Sequence, residues 1–285
     1  MLNILIVGNS HSTDTFQLLA EAFRDQMPQQ DIAAASLYYS GCSIHQHNNH
    51  ADTNAPVYRY TINKNGQAEV IYNVPMEHGL RDQEWDIIML QAAKPDRDDT
   101  LNLPGRRKLE SYIASLVTNP YVLAWHNTWP SPDDETFFSP DWVRQPPAGY
   151  KENLKRLYGF NTVNQASIMV TTTVKSILPD ETYTYKINTG AAIMHAHCIQ
   201  GIPQLEIWRD YTHLSDLGRL IAAYAMYAQL TGKPITQIGM DTVPVSKRHA
   251  QFQHLGDLQV TEEMKKIIIS AANYALENPW FIPSK

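Results

Sequence analysis

Leu2-Asn3-Ile4-Leu5-Ile6-Val7-Gly8-Asn9-Ser10-His11-Ser12 opens the chain and sets its architecture. Six residues, all but one apolar, run up to a glycine. After the turn, Phe16, Leu19, Ala20 and Phe23 recur on one helical face. A buried strand, a tight turn and a helix form the first half of a parallel α/β unit. Working outward, Ile32–Tyr39 reads as a second strand, Asp86–Gln91 as a third, Tyr121–Trp125 as a fourth and Tyr185–Asn188 as a fifth. Helical stripes lie between and after them, at Leu109–Val117, at Leu214–Leu230, closed by Gly232 and Pro234, and at Thr261–Leu276 with Thr261 as N-cap. Strands alternating with helices imply a mostly parallel sheet covered on both faces.

Two segments break this rhythm. Val57–Ile62 and Ala68–Val74 flank Asn63-Lys64-Asn65-Gly66, the signature of a β-hairpin, which places an insertion at approximately 54–80. The stretch 129–149 is rich in proline and aromatics and reads as one long loop. No repeat or linker divides the chain, so residues 1–285 are expected to form a single domain.

Composition narrows the function. The net charge is −6, without a block of like charges, which argues against nucleic acid as a partner. The apolar runs are too short to span a bilayer, so no membrane is expected. Two cysteines, Cys42 and Cys198, cannot form a disulfide scaffold. Met1 is followed directly by the first strand, with no basic segment or cleavage site. The expected location is the cytoplasm if Met1 is the native start, and outside it if a leader was removed.

Ser10 lies where a strand becomes a helix. There the backbone N–H groups and helix dipole stabilise an oxyanion; a plain helix cap uses the same residue types, and Ser12 is a second candidate for it. A serine needs a base. Arg209-Asp210-Tyr211-Thr212-His213-Leu214-Ser215 offers one: Asp210 can hold the tautomer of His213 that leaves the other ring nitrogen ready to accept the serine proton. The competing reading is a helix start capped by Thr212.

Gly8-Asn9-Ser10 resembles the first block of the SGNH/GDSL hydrolases, with Asn9 in place of the usual aspartate. Asp210-x-x-His213 resembles their last block, and Ser40-Gly41-Cys42-Ser43 their second. The stretches from Asn188-Thr189-Gly190-Ala191-Ala192 to His213-Leu214-Ser215-x-x-Gly218 are similar to an uncharacterised bacterial branch of that superfamily. The resemblance covers most of the chain. It implies a three-layer α/β/α, flavodoxin-like fold, no metal and no cofactor. Ser10 is then the nucleophile of an esterase, with Asp210 and His213 completing the triad. The N–H groups of Ser10 and Gly41 contribute to the oxyanion hole. The implied substrate is an O-acyl ester of a small molecule or carbohydrate, an acetylated sugar among the candidates. Acyl transfer by the same triad, and a catalytically weak carbohydrate-binding protein on a hydrolase fold, are the alternatives.

One block departs from the pattern. The usual Gly-x-Asn-Asp is absent after the third strand, which ends Met89-Leu90-Gln91-Ala92-Ala93-Lys94. Gln91 is the expected substitute as third oxyanion donor, with Asn127 as alternative; losing such a donor costs roughly 10²–10³ in rate. His47, His126 and Trp129 are candidate substrate contacts. Trp129, Phe137, Phe138 and Trp142 either line a sugar or acyl site or pack their loop onto the domain. His45, His47, His50 and Asp52 have spacing that invites a metal reading, but alternating histidines in a loop are expected to be polar surface or substrate contacts.

Overall fold

The computed structural model describes residues 1–91, 103–132 and 181–283, and isolated positions and short runs between 137 and 171. Seven strands form one sheet: β1 (Leu2–Gly8), β2 (Ile32–Tyr38), β3 (Tyr58–Lys64), β4 (Gln67–Val74), β5 (Ile87–Gln91), β6 (Val122–Asn127) and β7 (Tyr185–Asn188). Their spatial order is β4-β3-β2-β1-β5-β6-β7. β1, β2, β5, β6 and β7 are parallel, while β3 and β4 are antiparallel. Without the hairpin, the parallel strands follow the 2-1-3-4-5 order of flavodoxin-like sheets.

The period-two alternation of β1 divides the core. Ile4 and Ile6 face one layer, with Ile32, Ala34, Ile87 and Met89. That layer contains α1 (Ser10–Gln26), α5 (Thr189–Met194), α7 (Asp216–Thr231) and α8 (Glu262–Glu277). Leu5 and Val7 face the other layer, with Ala33, Ala35, Leu37, Ile88 and Leu90. It contains α2 (Ile44–Asp52), α3 (Met76–Arg81) and α4 (Leu103–Leu116). Both faces of the central strands are therefore apolar, as a parallel sheet between helices requires. Between α5 and α7 lie a π-helical turn at His195–Ile199 and the short α6 (Gln204–Ile207).

The hairpin turns on Asn65-Gly66, both at positive φ (49° and 91°), with Lys64 opposite Gln67. This is the two-residue turn that Asn-Gly favours. The hairpin widens the main sheet at its β2 edge. The histidine-rich stretch expected as a loop is instead helix α2. Ser43 and Gln46 form a capping box at its start, and Ile44, His47, Asn48 and Ala51 fall on its buried face. Thr261 caps α8 by accepting from Met264 N, as expected. A segment not anticipated from the sequence, residues 242–259, pairs Thr242–Val243 with Leu258–Gln259. It carries two 3₁₀ turns, Val245–Lys247 and Ala250–Leu255. No helix among the described residues is long and apolar enough to cross a membrane.

Candidate active site

Ser10 is the first residue of α1, at the carboxyl end of β1, and is half-buried. Gly8 permits the turn, because a Cβ there would collide with Ser12 Oγ and Gln91 Oε1. Asn9 caps α1: its Oδ1 accepts from His11 N (3.1 Å), while its Nδ2 donates to Cys42 O (3.1 Å). The second contact fixes the Tyr39–Cys42 loop against the Ser10 turn. Gly41, in that loop, sits at φ +60°, in the left-handed region. Among the described residues, the N–H groups of Ser10 and Gly41 take no protein acceptor.

The partner loop is closed by its own bonds. Trp208 and Leu214 form an antiparallel bridge, and Arg209 N donates to His213 O (3.0 Å). Within it, Asp210 Oδ2 lies 2.8 Å and Oδ1 3.0 Å from His213 Nδ1. Asp210 Oδ1 also accepts from the N–H groups of Thr212 and His213, each at 2.8 Å. Burial pushes the Asp210 carboxyl upward. The hydrogen bond and charge of His213, with the two N–H donors, outweigh this and leave it lowered to about 2. The side chains of Asp210 and His213 retain 13% and 17% exposure, enough to face the cleft. The cap of α7 is Ser215, which accepts from Gly218 N (3.2 Å), so Thr212 does not cap it.

Ser10, Gly41, Asp210 and His213 line one cleft of about 730 Å³. No hydrogen bond joins Ser10 Oγ to His213 among the described residues; such contacts commonly tighten only when substrate is present. A buried ion pair holds the two halves of the site together. Asp14, on α1, lies 3.0 Å from Arg209, and its Oδ2 also accepts from Leu214 N (2.9 Å). Behind it, Arg219 is fully buried and bonds Asp216, which in turn pairs with Arg248 (2.6 Å).

Several expected contacts are corrected. Gln91 is fully buried and does not line the cleft. Its Oε1 accepts from Asn9 N (3.2 Å), Ser12 N (3.1 Å) and Ser12 Oγ, and its Nε2 donates to Asn9 Oδ1 (3.0 Å). Gln91 therefore braces the Ser10 turn from below, and its amide does not face the cleft. Asn127 is also buried and donates to Thr171 Oγ1 (2.9 Å) and Asn188 Oδ1 (3.3 Å), away from the cleft.

His47 faces the core, bonded to Tyr58 OH (2.8 Å), and burial lowers its pKa to about 3. His126 is likewise buried beside Thr189 Oγ1 (2.9 Å), with its pKa lowered to about 3 for the same reason. Neither borders the cleft. Trp129 is buried: its Nε1 donates to Thr212 O (3.0 Å) and its ring lies 5.0 Å from that of His11. It supports the Asp210–His213 loop rather than substrate, and Phe137 is buried in the core. Phe138 and Trp142 lie outside the described residues, as do Ala92, Ala93 and Lys94.

His45, His47, His50 and Asp52 do not converge. His45 contacts Asn49, His47 and His50 flank Tyr58 OH, and Asp52 pairs with Lys108. No group of three metal-ligating side chains gathers among the described residues. Cys42 is buried and Cys198 half-buried, and no disulfide joins them.

Sequence reasoning missed four cleft arginines, Arg59, Arg144, Arg209 and Arg248, and also His11 and His249. Burial, followed by the nearby Arg209 charge, lowers the His249 pKa to about 4. Arg209 was legible as a neighbour of Asp210. His11 adjoins Ser10 in the opening motif, whereas Arg59, Arg144, Arg248 and His249 come from segments distant in sequence that nothing local marks.

The fold and cleft define a class: a three-layer α/β/α protein with a serine and an aspartate–histidine pair on one cavity at the carboxyl edge of a parallel sheet. The chain belongs to the DUF4886 family, a domain of unknown function, whose model matches residues 3–259. It is similar to a solved structure, the crystal structure of a DUF4886 family protein from Bacteroides uniformis ATCC 8492. The TM-score is 0.73 at 21% identity, over 99% of this chain and 97% of that one, a likeness that shows the fold. No curated protein matched the sequence.

Proposed function

We propose that this chain is a serine esterase that cleaves an O-acyl ester. The carrying observation is that Ser10, at the start of α1, shares its cleft with a histidine whose Nδ1 is held by a carboxylate. In this reading Ser10 Oγ attacks the acyl carbonyl while His213 Nε2 takes its proton. Asp210 fixes the tautomer and stabilises the imidazolium. The N–H groups of Ser10 and Gly41 receive the oxyanion. His213 then protonates the leaving alcohol, and water activated by the same imidazole releases the acid from Ser10. The resemblance of the Gly8–Ser10, Ser40–Ser43 and Asp210–His213 blocks to SGNH/GDSL hydrolases supports this assignment, and an acetylated carbohydrate fits within it.

A second reading, a catalytically weak carbohydrate-binding protein, draws on the placement of Gln91 and Asn127. With both amides engaged elsewhere, the oxyanion has two backbone donors and no side-chain amide from those positions. A fluorophosphonate probe separates the readings. It is expected to label Ser10 in the wild type, and to fail on Ser10→Ala and His213→Ala proteins of unchanged circular dichroism. A wild type that resists the probe and leaves aryl acetates intact would favour the binding protein.

A further inference from the structure

The cleft is more basic than the chain around it. Among the described residues, four arginines line it (Arg59, Arg144, Arg209 and Arg248) against two aspartates, Asp14 and Asp210, in a chain of net charge −6. Two of the arginines are neutralised, Arg209 by Asp14 and Arg248 by Asp216, and Arg144 is exposed to solvent with its guanidinium 5.7 Å from the Tyr211 ring centre. Arg59 is neither neutralised nor exposed. It projects from β3, opposite Tyr38 of β2, and has no ion-pair partner among the described residues. Its guanidinium lies 4.3 Å from the centre of the Tyr38 ring, a stacking that orients the fork without using its N–H groups. Its Nε is buried without an acceptor. A half-buried arginine so arranged has an unfilled requirement for an anion, and the low-dielectric walls of a cleft strengthen that attraction.

Its position adds a second argument. A smaller cavity of about 210 Å³ runs from the main cleft over the exposed part of the hairpin. The two share Thr13, Gln17, Arg59 and Ser246, so Arg59 stands at their junction. The far cavity is lined by Thr61, Asn63 and Ser36, and by Val70 and Tyr72, which are 44% and 66% exposed. Ser36 Oγ is buried there without a hydrogen bond. A ligand reacting at Ser10 and reaching into this trough passes the guanidinium.

We propose that Arg59 is a specificity residue that binds an anionic group, a carboxylate, sulfate or phosphate, on the alcohol portion of the substrate. The substrate role of Arg59 rests on the esterase reading; the anion site does not. The test compares 4-acetoxybenzoate with its neutral methyl ester, and adds 4-acetoxybenzenesulfonate and 4-acetoxyphenyl phosphate to rank the three anions. The wild type is expected to favour the anionic esters by about tenfold in kcat/KM at low salt, a preference that shrinks as salt is added. Arg59→Gln should bring the ratio close to one, and Arg59→Lys should keep part of it, showing that the charge and not the fold was lost. A wild-type ratio at or below one, or an Arg59→Gln protein that retains the preference, overturns the proposal. If no ester is cleaved, calorimetric titration with 4-hydroxybenzoate decides. Binding lost in Arg59→Gln upholds the anion site while the esterase reading falls, and no binding to the wild type removes the site.

Discussion

Asn9 does with one amide what a carboxylate cannot. Its oxygen accepts from His11 N and Gln91 Nε2, and its nitrogen donates to Cys42 O. One side chain thereby sets the ends of β1, β2 and β5 relative to one another. An ionised aspartate has acceptors only, so it would face the Cys42 carbonyl with no hydrogen to give. Asn9→Asp is therefore expected to destabilise the fold by about 1–3 kcal/mol, the cost of leaving a buried polar group unsatisfied. Gln91→Ala should act in the same sense, removing every acceptor that Oε1 offers. Urea denaturation at neutral pH checks both. Ser10→Ala, whose hydroxyl makes no protein hydrogen bond among the described residues, should leave the midpoint unchanged while abolishing hydrolysis of an aryl acetate. A stable Gln91→Ala protein that has lost only turnover would return Gln91 to the oxyanion site.

At the scale of elements, the site depends on how α1 is tied to the loop before α7. Asp14 and Arg209 are both nearly inaccessible, with side-chain exposures of 4% and 6%. Removing one member of such a pair leaves the other charge buried, at a cost of about 3–5 kcal/mol. Asp14→Asn is expected to lower stability on that scale, and to weaken fluorophosphonate labelling because the His213 loop loses its anchor at Leu214 N. Asp14→Asn with Arg209→Met should recover part of the stability without recovering the labelling. Full additivity in this double-mutant cycle would refute the coupling. This ion pair also shows where sequence reading runs out. Gly8–Ser10 and Asp210–His213 are local patterns with their own chemistry, so both were visible, as was the Asn65-Gly66 turn. Asp14 and Arg209 stand 195 residues apart, and nothing local to either announces the other. Gln91 misled for a related reason: the end of a strand places a side chain near the site but does not say which way it points. The His45–Asp52 stretch misled through composition, since its capping box and buried stripe make a helix of residues that resemble a loop.

Over the whole molecule, the sheet was legible because its two buried faces demand unbroken apolar strands. That pattern survives even where Asn63, Gln91, His126 and Asn127 interrupt it, each buried. Among the polar groups taken into the core are imidazoles, which titrate. His47 and His126 are both buried, with pKa values lowered from 6.5 to about 3 by desolvation. They stay neutral in the folded state, while in the unfolded chain they protonate as soon as the pH falls below 6.5. The unfolded state then binds more protons than the folded one, so stability falls with pH across the window from 6.5 to 3. Asp210 adds a lower window. Its carboxyl is depressed from 3.8 to about 2, so its contribution is present above 3.8 and is lost as pH falls towards 2. Urea midpoints measured from pH 8 to pH 3 should hold steady at first and then decline below 6.5. The decline should begin above the range in which carboxylates titrate. His126→Gln keeps an amide able to bond Thr189 Oγ1 but cannot take a proton. It should remove one proton's share of the slope, ~1.4 kcal/mol per pH unit, between about pH 6 and pH 4. If the wild type is flat over that interval, or if His126→Gln follows the wild-type slope, the buried imidazoles are not what makes this fold acid-sensitive.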